Sequence, residues 1–495
     1  MSKIIIQNGN MCELDLPLKF AQKLYNEFAI RHPNAFYLRT RQRGMQNWDG
    51  KIHYITKTGQ FKIGLLPKVY DMCIEMGIKP KVVDMRQPLP KVSKVVTKIG
   101  KYKLRPEQEK AVKAVINNTI GGKPFHIGVL DYTVNAGKTL IMSSLYLTYK
   151  KQLKTLLITN DSDWLNQARE EFKQYLPGED ITFVQGKVLN WSNFTIGMVQ
   201  SISRNMRFYQ KELSQIDMVL VDEADQGGSK QYQNVITRLF NTRIRIGLSG
   251  TIYMSKLAKD KVKNMNLECF FGKVIAEFKL KDSIKNGYST KTIIKMVPGK
   301  PWYGNWESDC ISYKEIYDDS ITENNTAWTM AYNRLRWNIN QGRYPALVVC
   351  KHIAHCENLY KFFKKKLGDA YNIAYVHVNT PSKLRQQIMR DFREGKIDIL
   401  VSTTIIARGK NFPKLRYLLN AASMDSQEKS IQFLGRLVRT DKSKKKVYLD
   451  DLHYPGPYLD RHGKHRKQYY QRQELKVILL DKLWKKHPNH SLIKS

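Results

Sequence analysis

Short apolar runs rich in β-branched residues recur along the chain, and amphipathic stretches of helical character separate them. The runs are Thr155–Thr159, Met218–Asp222, Ala346–Cys350 and Ile397–Val401. Continuous apolar strands that alternate with helices are typical of parallel sheets covered on both faces. The series stops at 281–310 and then resumes, so the sequence predicts two α/β lobes in tandem.

The chain is strongly basic. Its 495 residues include 83 Lys+Arg against 44 Asp+Glu, a net charge of +39. Such an excess indicates a polyanionic partner, because neutralising phosphates with Lys and Arg releases counterions. Charge alone does not distinguish DNA, RNA and a membrane surface. No run approaches the ~20 apolar residues of a membrane span, and no signal peptide is evident. We therefore expect a cytoplasmic protein with no membrane partner, whose six scattered cysteines are reduced.

A candidate phosphate-binding loop joins the apolar run Ile127–Leu130 to a helical stretch. The loop reads Tyr132-Thr-Val-Asn-Ala-Gly-Lys-Thr139, with Tyr132 where the strict pattern has glycine. Backbone N–H groups and a helix N-terminus cradle phosphates in such loops. Lys138 would reach the β- and γ-phosphates of ATP, and the Thr139 hydroxyl would hold Mg²⁺. The predicted nucleotide-binding residues of the loop are Asn135, Ala136, Gly137, Lys138 and Thr139.

An apolar strand that ends in carboxylates lies further along the chain, at Val219-Leu-Val-Asp-Glu-Ala-Asp225. Asp222 could coordinate Mg²⁺ through water, and Glu223 could polarise the water that attacks phosphorus. Acidic strand ends are usually solvated turns. Three acids after a buried strand, downstream of a phosphate loop, favour phosphate hydrolysis instead.

Further short motifs are spread over residues 100–440. They are Leu104-Arg-Pro-Glu-Gln108, Asp163-Trp-Leu-Asn-Gln167, Val199-Gln-Ser201, Gly247-Leu-Ser-Gly-Thr251, Thr403-Thr-Ile-Ile-Ala-Arg-Gly-Lys-Asn411 and Gln432-Phe-Leu-Gly-Arg-Leu-Val-Arg439. With the phosphate loop and the acidic strand, this ordered set resembles the motifs of superfamily 2 helicases and translocases. The resemblance implies two RecA-like lobes and an enzyme that hydrolyses ATP with Mg²⁺ to unwind nucleic acid.

The resemblance also implies roles for individual residues. Arg105, Gln108, Arg408 and Gly409 would bind the nucleotide, and Ser249 and Thr251 would couple hydrolysis to DNA movement. Gln167, Gln200, Ser201 and Thr403 would contact a DNA strand. Catalysis would fall to Lys138, Asp222, Glu223, Gln432, Arg436 and Arg439. The spacing of the last three predicts one shared helical face. Since they lie in the second lobe, they would reach the phosphates as arginine fingers do.

Two details favour DNA over RNA. Ser249-Gly-Thr251 and Gln432-Phe433 differ from the corresponding motifs of DEAD-box RNA helicases. Near the N-terminus, Asn47-Trp-Asp-Gly-Lys51 resembles the small N-terminal domain of phage UvsW-type helicases, which rework branched DNA. That resemblance implies DNA contacts at Trp48 and Lys51. The basic C-terminal segment adds Arg466 as a candidate phosphate contact. The alternative is a structural turn with Trp48 in the core and solvated charges.

We predict four regions: a small α+β N-terminal domain with a basic connector (1–95), lobe 1 (96–285), lobe 2 (286–455) and a basic C-terminal extension (456–495). A helix is expected around Leu475–Trp484. The predicted function is an ATP-dependent DNA helicase that migrates Holliday junctions and regresses forks in phage replication, recombination and repair. It would act as a monomer in the host bacterial cytoplasm, with phage recombination or replication proteins as partners. The alternatives are an RNA helicase, a motor subunit of a restriction or nuclease complex, and a DNA-binding scaffold without hydrolysis.

Overall fold

The chain forms two compact units in a computed structural model, which describes residues 2–41, 45, 47–92, 94–149, 152–186, 190–252, 258–299, 312–407 and 412–480. Unit 1 comprises Met1–Tyr132 and Ala136–Phe278. Unit 2 comprises Thr133–Asn135 and Lys279–Ser495.

Unit 1 begins with a small α+β domain, as predicted. Its elements are β1 (Lys3–Ile6), β2 (Met11–Asp15), α1 (Leu18–Glu27), β3 (Ala29–Arg31), α2 (Ala35–Arg41), β4 (Lys51–His53), β5 (Gln60–Lys62), α3 (Leu66–Glu75) and β6 (Lys81–Asp84). The main sheet of this domain has the order β5-β2-β1-β6. Strands β3 and β4 pair antiparallel, and α2 lies between them in the sequence. Alternating buried and half-exposed residues on β1 and β2 place one face of the sheet on the core.

The small domain shares a continuous apolar core with the rest of unit 1. A fully buried arginine, Arg245, fixes the two parts together. Its guanidinium donates to the Gly9 carbonyl (2.6 Å), to Asn10 Oδ1 (2.8 Å) and to the Phe270 carbonyl (3.2 Å). Gly64 packs so closely that an added Cβ would lie 2.1 Å from the Glu268 carbonyl oxygen. The small domain and lobe 1 therefore form one packed body.

Lobe 1 completes unit 1. Its elements are β7 (Lys98–Ile99), β8 (Tyr102–Lys103), α4 (Pro106–Ile116), β9 (Thr119–Ile120), β10 (Lys123–Pro124), β11 (Ile127–Tyr132), α5 (Lys138–Thr148), β12 (Thr155–Thr159), α6 (Ser162–Tyr175), β13 (Ile181–Val184), β14 (Phe194–Met198), α7 (Val199–Arg204), α8 (Gln210–Ser214), β15 (Met218–Asp222), α9 (Lys230–Ile236), β16 (Ile244–Ser249), α10 (Ala258–Phe271) and β17 (Val274–Phe278). Within the described ranges, seven strands form a parallel sheet of order β13-β14-β12-β15-β16-β11-β17. Strands β12, β14, β15 and β16 are buried throughout, as expected where helices cover both faces.

Unit 2 repeats this architecture. Its elements are α11 (Leu280–Lys285), β18 (Lys291–Pro298), α12 (Tyr313–Tyr317), α13 (Asn325–Ile339), β19 (Ala346–Cys350), α14 (Ile353–Leu367), β20 (Ile373–Val376), α15 (Ser382–Glu394), β21 (Ile399–Thr403), β22 (Tyr417–Asn420), α16 (Gln427–Leu437), β23 (Lys446–His453), α17 (Leu459–Arg472) and β24 (Val477–Leu479). In the part of the chain that is described, a second seven-stranded parallel sheet has the order β20-β21-β19-β22-β23-β18-β24. Two such sheets confirm the predicted tandem RecA-like lobes.

The predicted helix around Leu475–Trp484 is wrong over its described part. The helix of this region, α17, ends at Arg472, and Glu474 then adopts a positive φ of 55° that no α-helix accommodates. Val477–Leu479 pairs in parallel with Ile294–Met296 of β18. These apolar residues complete the sheet edge, so the segment from α17 to β24 belongs to lobe 2. Residues 481–495 lie outside the described ranges. No helix among the described residues is long and apolar enough to span a membrane.

Candidate functional site

The predicted phosphate loop lies at the carboxyl end of β11 and leads into α5, which begins at Lys138. Asn135 and Gly137 both adopt left-handed backbone conformations, with φ of 64° and 72°. Gly137 has no room for a side chain, since an added Cβ would lie 2.3 Å from Gln108 Nε2. Tyr132, the departure from the strict motif, is buried and donates its hydroxyl to the Glu107 carbonyl at 2.8 Å. The departure therefore anchors the loop to α4.

Gln108 braces this loop from α4. Its side-chain amide donates to the Ala136 carbonyl at 2.9 Å, and its carbonyl oxygen accepts the backbone N–H of Arg105 at 2.9 Å. Gln108 is fully buried, whereas Arg105 is partly exposed and pairs with Glu107 at 3.2 Å. The predicted nucleotide-binding residues Arg105 and Gln108 thus lie against the phosphate loop, and the Gln108 amide holds the loop through the Ala136 carbonyl.

The acidic strand end lies two strands away from the phosphate loop. Ser249 on β16 is the register partner of Asp131, and Leu248 is the partner of Asp222 on β15, so these strand ends are level. Burial raises the pKa of the Asp222 carboxyl, while the Lys138 ammonium lowers it. Among the described residues, Asp222 Oδ1 is buried without a hydrogen-bond partner. A buried carboxylate oxygen without a hydrogen-bond partner, on a carboxyl that interacts electrostatically with Lys138, is a suitable ligand for a hard cation.

The predicted coupling residues contact the acidic segment. Ser249 Oγ donates to Asp225 Oδ1 at 2.7 Å and lies 3.1 Å from Thr251 Oγ1. Glu223 has a φ of 52°, and this left-handed turn directs the chain into a 3-10 helix that carries Asp225. No individual role was predicted for Asp225. A serine at the end of a buried strand needs a hydrogen-bond partner, but the sequence around Ser249 does not show which residue supplies it.

The predicted strand contacts of lobe 1 follow two neighbouring strands, β12 and β14, at the same edge of the sheet. Gln167 is exposed on α6 and bonds to Glu171. Gln200 on α7 donates to the Asn160 carbonyl at 3.3 Å, and Ser201 Oγ accepts the Gly186 N–H at 2.9 Å. Gln200 and Ser201 therefore lie at the carboxyl edge, where ligands of open α/β sheets bind, whereas Gln167 lies more than a turn into α6.

In lobe 2, Thr403 ends β21 and is buried. Gln432 and Arg436 lie one turn apart on α16. Arg439 does not share that face, because α16 ends at Leu437 and Val438 caps it. The prediction of one helical face for all three is therefore corrected. Arg408 and Gly409 lie outside the described residues.

The predicted DNA contact at Arg466 is also corrected. Arg466 and Asp451 are both fully buried and form an ion pair of 2.8 Å. The remaining guanidinium donors reach the carbonyls of Met424 and Leu452 at 3.0 and 2.8 Å. Because Arg466 is fully buried on the inner face of α17, its guanidinium is not accessible to a phosphate.

The two predicted contacts of the small domain lie beside β4. Trp48 is half-buried, and its indole N–H donates to the Lys51 carbonyl at 2.9 Å. Its ring contacts His32 edge-on at 5.7 Å. The Lys51 side chain is exposed. Trp48 therefore supports a turn, and Lys51 remains available to a ligand.

Two family models match the chain. Residues 101–254 match the type III restriction enzyme res subunit, and residues 331–441 match the helicase conserved C-terminal domain. The chain is a superfamily 2 helicase. This class of enzyme couples ATP hydrolysis to the unwinding of nucleic acid.

Individual relatives are distant. The chain is 23% identical over 385 residues to putative helicase 22 of Sulfolobus islandicus filamentous virus, covering 71% of this chain and 64% of that relative's length. It is 21% identical over 436 residues to the ATP-dependent DNA helicase uvsW of Enterobacteria phage T4, covering 82% of each chain. A solved fragment of a putative HsdR subunit of a type I restriction enzyme from Vibrio vulnificus shares the fold, with a TM-score of 0.58 and 14% identity. That alignment covers 87% of this chain and 77% of the fragment.

Proposed function

We propose that this helicase is an ATP-dependent DNA motor that unwinds and remodels branched DNA. The observation that carries the proposal is the level alignment of the phosphate loop, the Asp222 carboxylate and the Ser249–Asp225 hydrogen bond at one edge of the lobe 1 sheet. We further propose that the protein acts as a monomer in a host bacterial cytoplasm during phage replication, recombination and repair.

The residues at this edge of the lobe 1 sheet have separate roles in ATP hydrolysis. The loop N–H groups and Lys138 bind the phosphates, and Glu223 orients the attacking water. Asp222 and Thr139 are the residues that would hold Mg²⁺, which neutralises charge on the phosphate oxygens when bound. The unpartnered Asp222 Oδ1 supports this assignment. Gln432, Arg436 and Arg439 are proposed to stabilise the transferred phosphate.

The Ser249–Asp225 bond suggests how hydrolysis reaches the nucleic acid. Asp225 is joined in sequence to Asp222 and Glu223, and Ser249 is joined through its hydroxyl to Thr251. A change at the phosphates would alter this hydrogen-bonded chain directly. We therefore propose that Ser249 and Thr251 couple the nucleotide state to the predicted strand contacts Gln167, Gln200 and Ser201.

Branched DNA is favoured over other substrates by one relative and one physical property. The T4 DNA helicase uvsW matches over 82% of both chains, so the similarity includes the flanks of the motor lobes. The net charge of +39 suits several duplex arms, because each additional arm adds phosphates to neutralise.

The test is steady-state ATP hydrolysis at one fixed salt concentration with no nucleic acid, single-stranded DNA, linear duplex, a four-way junction or RNA. We expect the junction and other DNA to stimulate turnover, and Lys138→Ala to abolish it while DNA binding persists. Lys123→Ala, which removes an exposed lysine of β10, is the matched control and should retain turnover. Stimulation by RNA alone would replace the DNA assignment with an RNA helicase. Turnover in Lys138→Ala would refute the phosphate loop.

A further inference from the structure

Helix α2 of the small domain exposes two consecutive aromatic side chains. Phe36 is 80% exposed and Tyr37 is 56% exposed, and no other described large apolar side chain is as exposed as Phe36. Only Ala35, at the start of the helix, is buried. Exposed aromatic rings on adjacent positions contribute nothing to the core of this domain. Such rings are instead typical of surfaces on which nucleic-acid bases stack.

Positive charge surrounds these rings. Arg39 and Arg41 occupy the last turn of α2, and the Arg41 guanidinium lies 5.2 Å from the centroid of the Tyr37 ring. Arg31 and Lys51, which are register partners on β3 and β4, are also exposed. Within the described ranges, none of these four cations forms an ion pair. An aromatic surface bordered by unpaired cations matches bases flanked by phosphates, rather than an apolar protein partner.

The segment that carries α2 is firmly supported. The His53 ring of β4 stacks on Tyr25 of α1, with 4.0 Å between the centroids. The Tyr54 N–H donates to the Phe28 carbonyl at 3.0 Å, and the Tyr54 hydroxyl donates to Asn266 Oδ1 of α10 at 2.9 Å. Arg245 fixes the same domain to lobe 1 from within the core. The paired strands β3 and β4, between which α2 lies in sequence, are therefore fixed to α1 and to a motor lobe.

Strand separation requires a rigid element attached to a motor lobe. If that element moved with the DNA, translocation would not separate the two strands. We propose that α2 is the strand-separating element of this helicase. Phe36 and Tyr37 stack on the terminal base pair at a fork, and Arg39 and Arg41 hold the phosphates beside it. This inference rests on the proposed DNA motor function and adds the contact at which the duplex opens.

The test uses a forked DNA duplex with 2-aminopurine in its terminal base pair, bound at saturation without ATP. Stacking of wild-type protein on the fork should quench the probe, and the variant Phe36→Ala/Tyr37→Ala should lose that signal. In a second assay, the number of strands displaced per ATP hydrolysed should fall at least about thirtyfold in the same variant, because each of the two lost stacking contacts is worth about fivefold or more. Phe36→Trp should retain both signals, because tryptophan also stacks.

Phe240→Ala is the matched control, since Phe240 is 45% exposed on lobe 1 and away from α2 in sequence. It should match wild type in both assays. Wild-type displacement per ATP in the double variant would overturn the inference and leave α2 as a surface for some other macromolecule. The probe is read without ATP, so the stacking contact and the motor function are tested separately. If the wild-type protein quenches the probe but does not hydrolyse ATP, the stacking contact is supported and the motor function is refuted. Unchanged melting temperatures would show that the variants are folded.

Discussion

Replacement of Arg466 by methionine tests the interior of lobe 2. The Arg466 guanidinium donates from Nε to Asp451 Oδ1 at 2.9 Å, and both residues are fully buried. Asp451 also accepts the Tyr470 hydroxyl at 2.7 Å and the Asn420 amide at 2.9 Å. Arg466→Met keeps much of the side-chain volume but leaves the Asp451 carboxylate buried without its counter-charge.

The magnitude follows from that uncompensated charge. Breaking a buried ion pair by removing one partner costs about 3–5 kcal/mol, whereas a domain is stable by only about 5–15 kcal/mol. The double variant Arg466→Met/Asp451→Asn removes the stranded charge. We expect it to be more stable than Arg466→Met alone, with a coupling energy of about 0.5–3 kcal/mol between the two sites.

Urea denaturation followed by circular dichroism measures these differences. Arg461→Met is the matched control, because Arg461 is exposed on the same helix and its loss should change stability by less than about 0.5 kcal/mol. The salt dependence of DNA binding, measured where the variants are folded, should be unchanged in Arg466→Met. A slope smaller by about 0.9, with wild-type stability, would mean that Arg466 contacts a phosphate and that the burial argument is wrong.

Three further outcomes are expected. Gly137→Ala should weaken ATP binding measured with a fluorescent nucleotide, because alanine disfavours the left-handed φ of 72° and its Cβ would lie 2.3 Å from Gln108 Nε2; unaltered binding would contradict the loop geometry. Ser249→Ala should retain DNA-stimulated ATP turnover but lower strand displacement, because it removes the hydrogen bond to Asp225, and displacement in proportion to turnover would rule out a coupling role. Burial lowers the pKa of His355 from 6.5 to about 3, so stability is lost as the pH falls below 6.5 and only the unfolded chain binds the proton. His355→Gln should therefore flatten the decline of unfolding free energy below pH 6.5 by up to about 1.4 kcal/mol per pH unit, and an identical decline would exclude His355 as its source.

Much of the fold could be predicted because buried parallel strands leave a clear pattern. The runs Thr155–Thr159, Met218–Asp222 and Ala346–Cys350 coincide with β12, β15 and β19. The run Ile397–Val401 was displaced by two residues from β21, since a continuous apolar run does not mark where a strand begins. Pairing of Ala346 with Ile399 sets that start, and pairing is a property of two distant segments.

Parts of the candidate site could be predicted where the functional residues are consecutive in the sequence. A glycine, a lysine and a threonine after an apolar strand identified the phosphate loop without any long-range information. The bracing role of Gln108 and the partner of Ser249 were not local, since each depends on a segment brought in by the sheet.

For Arg466, the sequence led to a wrong prediction. In a basic segment, residue type alone does not distinguish a buried arginine from one that binds phosphate. Only its helical spacing from Leu459 and Tyr470, together with an aspartate in strand β23, distinguished the two. No role was predicted for Arg245, although a lone charge within the apolar strand β16 must find partners in the core.

The Arg245 contact also has a consequence for biosynthesis. Gly9 and Arg245 are separated by 236 residues, so the small domain leaves the ribosome long before its anchor exists. At about 5–20 residues per second, that interval lasts roughly ten to fifty seconds. During this interval, lobe 1 does not yet cover part of the apolar face of the nascent small domain. Its dependence on chaperones during translation should therefore exceed that of an independently folding module of the same size.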